Sequence, residues 1–226
     1  MSFWYFIKLI REVNPWKTLY FNFHYFPFKI AIKTPVYIYW RTELKGLGGR
    51  ILLPQQIWRG MLRFGKYQVG IQDSFYMRSI FDLSGTLAIG GGALWGRGSK
   101  ISVAEDATLT LGKNLIITGN TEIICHKGIT FGENDLLSWD ILIMDTDFHK
   151  IYDANNVHVN VPKPIAIGNH VWIGCRTTIL KGVAINDNNV IASGSVITKS
   201  IESENCIIGG HGSSAGVKKR NIYWEG

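Results

Sequence analysis

The sequence predicts an all-β solenoid, a parallel β-helix, and three observations carry that expectation. The first is a run of isoleucines six residues apart: Ile167, Ile173, Ile179, Ile185, Ile191 and Ile197. On a helix of ~3.6 residues per turn, a step of six advances about 240° and scatters apolar residues over three faces. In a strand, side chains alternate, so a step of six returns to the same side every time. The second is the rest of each hexad, which reads IGNHVW, IGCRTT, ILKGVA, INDNNV, IASGSV and ITKSIE. Position one is a bulky aliphatic and position five is mostly smaller, as a narrow triangular interior requires. The third is the same phase upstream, in the triplets Ile89/Trp95/Ile101, Leu111/Ile117/Ile123 and Phe131/Leu137/Ile143. Triplets of hexads imply three short strands per coil, about 18 to 22 residues per coil and coils stacked about 4.8 Å apart. A β-sandwich would instead turn every ~8–12 residues without a fixed period.

The elements follow in order. Residues 1–45 are expected to hold an N-terminal helix and an aromatic capping segment. Phe3, Phe6, Ile7 and Ile10 share one helical face, and Asn14-Pro15 stops that helix. The aromatic run from Leu19 to Phe26 then covers the open first coil, where a solenoid exposes core and unpaired edges. The same segment suits peripheral contact with a membrane, through interfacial aromatics and nearby Lys and Arg. No apolar run reaches the ~18 residues that a spanning helix needs. Residues 46–202 are expected to form the β-helix, irregular in its first coils and regular from Ile89 to Ile201. Residues 203–226 read as a basic C-terminal tail. Asn189 interrupts the small position-five series, as a buried polar residue or a local distortion.

Of the 226 residues, 46% are hydrophobic and 18% charged, so the chain buries a core and is not disordered. Net charge is +7, with Lys218, Lys219 and Arg220 consecutive, a balance that attracts phosphates in general. No nucleic-acid motif accompanies it, so nucleic acid is not an expected partner. Three cysteines without metal or redox spacing, and no secretory signal, point to a reducing cytoplasm.

One long stretch loses the pattern. Residues 145–164 read DTDFHKIYDANNVHVNVPKP, rich in charge, His, Asn and Pro, which marks a protruding loop. A loop inserted into a regular coil is where function concentrates. Asp145, Asp147 and His149 alternate, so in an extended chain they share one face. Such a triplet serves general-base catalysis, metal ligation or simply a hydrated loop, and these three residues alone leave all three open.

The IGNHVWIG and IASGSVITKS segments, together with the loop carrying DTDFH, resemble the hexapeptide-repeat acyltransferases. Within that family, residues 89–210 look most like the bacterial polysaccharide and sugar O-acetyltransferases. The resemblance implies a left-handed β-helix, a homotrimer with active sites between subunits, acetyl-CoA as acyl donor and no required metal. It implies that His149 is the general base on an acceptor hydroxyl, and that Asp145 and Asp147 match acidic positions of the same catalytic loop, one of them to bind the acceptor sugar or to support the imidazole. By the same resemblance Trp172, Gly174, Ala192, Ser193, Gly194, Thr198 and Lys199 lie along the CoA edge, where backbone amides and a basic side chain meet the pantetheine arm and phosphates. Lys218 joins them toward the phosphates, and Trp139 flanks the acceptor. The family's Gly-Asn-Pro-Ala type turn is replaced by GGHGSSAG at residues 209–216, which predicts a looser turn and a mobile tail. N-acetylation of an amino sugar uses the same base. A metal-dependent hydratase on this fold needs closely spaced imidazoles, and no HxxxxH pair exists. A non-catalytic scaffold or binding module is the reading of another class.

Overall fold

The hexad isoleucines form the core columns of a three-faced solenoid. The computed structural model describes residues 11–225, apart from 67, 68, 71 and 74. Along one inward column Trp95, Ile117, Leu137, Ile173 and Ile191 lie in register, coil upon coil. Along a second, Ile101, Ile123, Ile143, Ile179 and Ile197 do the same, and on the third Ile167 faces Ile185. All of these side chains are buried, as are Val171, Thr177, Val183, Asn189, Ser195 and Ile201 at position five. Among the described residues the faces contain nine, seven and six strands, called here faces one, two and three. Pairing within them is parallel except at the C-terminal end of face one. Asn189 is a buried polar residue with its hydrogen bonds made: it donates to Ser203 O at 2.6 Å and Asn186 O at 2.9 Å, and accepts from Cys206 N at 3.0 Å.

The corners select their own residues. Turning the chain at the end of each short strand needs a left-handed backbone, which Asn tolerates best after Gly. The column between faces three and one meets that need with Asn114, Asn134, His170, Asn188 and Asn205, all at positive φ. Their side chains link in places, Asn114 to Asn134 at 3.0 Å and His170 to Asn188 at 3.1 Å.

Solenoid pairing starts before residue 46, at Val36–Ile38 and Thr42–Gly46, which pair onto the next coil. These first coils keep no legible period because aromatics, rather than a repeated isoleucine, fill their interior. Phe64 lies 5.4 Å from Phe81 and 5.1 Å from Trp95 between ring centroids, and Phe21 from the cap closes on Phe81 at 5.0 Å. The helix expected over the first thirteen residues falls mostly outside the described residues, of which Arg11 and Glu12 are helical. Asn14-Pro15 begins the next helix: the Asn14 side chain accepts from Lys17 N at 3.0 Å and Pro15 occupies the first turn. Helix α1 (Pro15–Tyr25) and the short α2 (Phe28–Ala31) thus contain most of the aromatic run. The inward residues of α1 satisfy the open edge of the first strand. Asn22 bonds Val36 O at 2.7 Å and Val36 N at 3.1 Å, and Thr18 Oγ1 accepts from Ile38 N at 3.0 Å.

The C-terminal segment forms strands rather than an irregular tail. Cys206–Gly209 continues face one, and Gly216–Arg220 returns antiparallel to it. Gly210 and Gly212 sit at φ values of +115° and +55°, where a side chain would be strained, so the glycines build this reversal. Trp224 then stacks on His170 at 4.1 Å and donates to its carbonyl at 3.1 Å.

Asp135 sits fully buried at the corner between faces three and one. One carboxylate oxygen accepts from Val171 N at 2.8 Å and the other has no partner. Burial pushes its pKa up from 3.8 to about 7, with the charge of Asp187 adding to the rise and amide hydrogen bonds opposing it. A folded-state pKa above the unfolded one means the fold binds a proton between those values, so stability falls as pH rises across that window. Thermal melts of the wild type are expected to decline from pH 4 toward pH 7, and Asp135→Asn is expected to flatten that decline. An unchanged slope in the variant would remove Asp135 as its source.

Candidate functional site

Two different corners of the solenoid hold the candidate residues. Residues 145–164 leave the coil between Leu142–Met144 on face two and Ile165–Ile167 on face three. The loop closes on itself at its base, where Lys163 N donates to Asp145 O at 3.1 Å. Beyond that it is a small antiparallel arch, with Tyr152 bridged to His158 and Val159 N bonded to Ile151 O at 2.9 Å. Asp153 Oδ1 closes the tip by accepting from Asn155 N and Val157 N at 2.8 and 2.9 Å.

The Asp145–Asp147–His149 alternation does not survive folding. Phe148 adopts φ +59°, and His149 N turns back to Asp147 O at 2.6 Å, so the three side chains part company. Asp145 is fully buried and faces away from the loop. Its carboxylate accepts from His126 N, Lys127 N and Gly128 N, each at 2.7 Å, and so fixes the corner of the preceding coil. Asp145 thus ties the neighbouring corner and makes no bond to the imidazole. Asp147 is exposed and engaged elsewhere. It is paired with Lys181 Nζ, and its Oδ2 accepts from Asn160 Nδ2 at 2.9 Å. The bond from Lys181, then that from Asn160, holds its carboxyl below the ordinary carboxylate range. His149 is exposed, and its imidazole has no hydrogen-bond partner among the described residues.

What fixes the backbone of His149 is a residue the sequence reading did not single out. Asn160, on the returning limb, donates to His149 O at 2.8 Å and to Asp147, and accepts from Ile151 N at 2.6 Å and His158 Nε2 at 3.0 Å. Lys181 lies one coil on at the same corner, binds Asp147 and donates to Asn160 O at 2.9 Å. Register alone could have found Lys181, because a step of 18 from Lys163 places it at the foot of the loop. Asn160 carried no such signal, since its partners come from three chain segments. His126 also meets the loop, its ring 5.1 Å from Phe148.

The expected CoA residues divide between corners. Gly174, Ala192, Ser193 and Gly194 occupy the corner between faces one and two, where Trp139, expected to flank the acceptor, shares a register column with Cys175 and Ser193. Thr198 and Lys199 instead lie at the loop's corner, Lys199 following Lys181 in its column. Trp172 faces outward on face one, donates to Ser138 Oγ at 3.1 Å and packs near Trp224 at 5.9 Å. Lys218 lies on the returning C-terminal strand, beside Gly209. The backbone amides of Gly174, Ala192 and Gly194 are not free for a ligand. They donate to Ile191 O, Ile208 O and Cys175 O, each at 2.8 Å. The two glycines have structural causes: a Cβ on Gly174 would sit 2.7 Å from Ser193 N, and Gly194 has φ +74°. The corner offers a ligand the exposed Ser193 and a low glycine surface rather than a nest of amides. Among the described residues, no group of three His, Cys, Asp or Glu side chains could hold a metal ion.

The family model of the bacterial transferase hexapeptide (six repeats) matches residues 164–199. A galactoside O-acetyltransferase of Escherichia coli K12 is 33% identical over 95 residues, 42% of this chain and 47% of its own length. A polysialic acid O-acetyltransferase of Escherichia coli O1:K1 is 30% identical over 126 residues, 55% of this chain and 40% of its own length. The chain thus spans about half the length of the curated relatives it matches. The crystal structure of a polysialic acid O-acetyltransferase superposes with a TM-score of 0.53 at 26% identity, covering 82% of this chain and 91% of that one. The fold shared with it is the left-handed parallel β-helix.

Proposed function

From a chain that carries the bacterial transferase hexapeptide repeat on a left-handed parallel β-helix, we propose an acetyl-CoA-dependent O-acetyltransferase. Its acceptor is a sugar hydroxyl of a surface polysaccharide or a precursor of one. The observation that carries this reading is the long break in the solenoid at residues 145–164, which presents His149 with a fixed backbone and an imidazole without a hydrogen bond among the described residues. The named activities of the two matched relatives support the reaction class.

The chemistry follows from those groups. The imidazole of His149 takes the proton of the acceptor hydroxyl as its oxygen attacks the thioester carbonyl. The tetrahedral intermediate collapses, the C–S bond breaks, and the imidazolium returns the proton to the departing thiolate. The ester is formed and free CoA leaves. Asp147 acts through the loop, bound to Lys181 and Asn160, and not on the ring.

The donor-binding residues at the other corner belong to a neighbouring copy in this reading. Loop residues Ile151, Tyr152, Val157, Val159 and Val161 are exposed apolar side chains on an otherwise polar arch, as an intersubunit contact requires. We take the assembly to be a homotrimer, acting in the cytoplasm where its thioester donor is made.

The test is a screen of the purified chain with acetyl-CoA against nucleotide sugars, neutral oligosaccharides and sialylated glycans, following free thiol. Acceptor-dependent release is expected. Silence with every acceptor would favour the scaffold reading. Within this mechanism Lys181→Met is expected to lower kcat about 10- to 100-fold by loosening the loop, with the KM for acetyl-CoA nearly unchanged. Equal kcat in the variant would leave Lys181 without a positioning role.

A further inference from the structure

Helix α1 packs with one side and exposes an apolar stripe on the other. Its inward residues Thr18, Phe21 and Asn22 close the first coil. On the opposite face Trp16, Leu19, Tyr20 and Phe23 follow the i, i+3, i+4, i+7 spacing of an apolar stripe. Phe28 and Ile32 extend it, with the Phe23 and Phe28 rings 6.0 Å apart. Trp16 is 78% and Phe28 69% exposed. A contiguous exposed patch of this kind marks a contact surface.

The charge around the stripe identifies the partner. From Val13 to Thr42 the sequence has no acidic residue, while it carries Lys17, Lys29, Lys33 and Arg41. Lys29 and Lys33 are exposed beside Phe28 and Ile32. Trp, Tyr and Phe side chains bordered by cations, with no acidic residue on either α1 or α2, are the composition of a helix lying in a lipid headgroup region. A second protein copy would bring the same cations against each other. Among the described residues no helix is long and apolar enough to cross a membrane. We propose that the outer face of α1 and α2 rests on an anionic lipid surface, Trp16, Tyr20, Phe23 and Phe28 entering the interface and Lys29 and Lys33 meeting the headgroups.

The test is co-sedimentation of the full chain with vesicles of phosphatidylcholine alone and of phosphatidylcholine mixed with phosphatidylglycerol. Binding to the mixed vesicles only, weakened by salt, is expected. Trp16→Ser/Phe23→Ser/Phe28→Ser changes outward side chains only and is expected to reduce the bound fraction about tenfold or more, with the circular dichroism melt retained. Lys29→Glu/Lys33→Glu provides a second route should the triple variant misfold, and is expected to weaken binding similarly. Failure of the wild type to bind the mixed vesicles, or binding unchanged in both variants, overturns the proposal. Loss of self-association in the triple variant, with no vesicle binding by the wild type, assigns the stripe to a second copy instead.

Discussion

Asp145→Ala is expected to lower folding stability by about 3 to 6 kcal/mol. The side chain is fully buried and supplies the acceptor for three backbone N–H groups of the preceding corner. Each buried donor left without a partner costs about 1–3 kcal/mol, and hydrogen bonds to an ionised acceptor lie at the strong end of the range. Against a total stability of about 5–15 kcal/mol, this is enough to unfold a large share of the chain. Asp145→Asn retains an acceptor but turns a donor toward one of the three amides, and is expected to fall between wild type and Ala. Chemical denaturation measures both. A loss below about 1 kcal/mol for Asp145→Ala would mean that water replaces the carboxylate at that corner.

His149→Ala is expected to lower turnover by about 10²-fold or more, because no other group takes the hydroxyl proton. Its side chain makes no hydrogen bond within the described chain, so the melting temperature and assembly state should be those of the wild type. The contrast between the two variants is informative. Two residues four apart in sequence, grouped by the resemblance as one catalytic set, divide into a structural tie and a reactive group. Steady-state thiol release gives the kinetic half of that contrast and denaturation the other.

The solenoid is legible in the sequence because its interior is a repeated constraint. Each strand must put an aliphatic such as Ile173 or Ile179 on the axis every six residues, and nothing outside the coil relaxes that need. The loop that holds the candidate site was legible as a location, since residues 145–164 are where the constraint lapses. Its geometry was not. The shared face of Asp145, Asp147 and His149 assumed an extended chain, and one left-handed residue, Phe148, redirects it. Asn160 and Lys181 act through bonds between segments that only the fold brings together. Helix α1 escaped recognition as a helix for another reason: it buries the polar Thr18 and Asn22 beside Phe21 and exposes Trp16, Leu19, Tyr20 and Phe23, which inverts the contrast that marks an amphipathic helix. The division of Ser193 and Lys199 between two corners is invisible in a repeat read as a line, because a step of six residues moves the chain to a different face.

Direct attack by an acceptor hydroxyl, with His149 as its base, is tested most directly by rapid mixing of the protein with acetyl-CoA, followed by intact mass and free thiol. The expected result is an unmodified protein mass at every time point, thiol release only when a hydroxyl acceptor is present, and no release above background from His149→Ala. A protein carrying one added acetyl group before the acceptor arrives, or a His149→Ala variant that turns over within a few-fold of wild type, would contradict it.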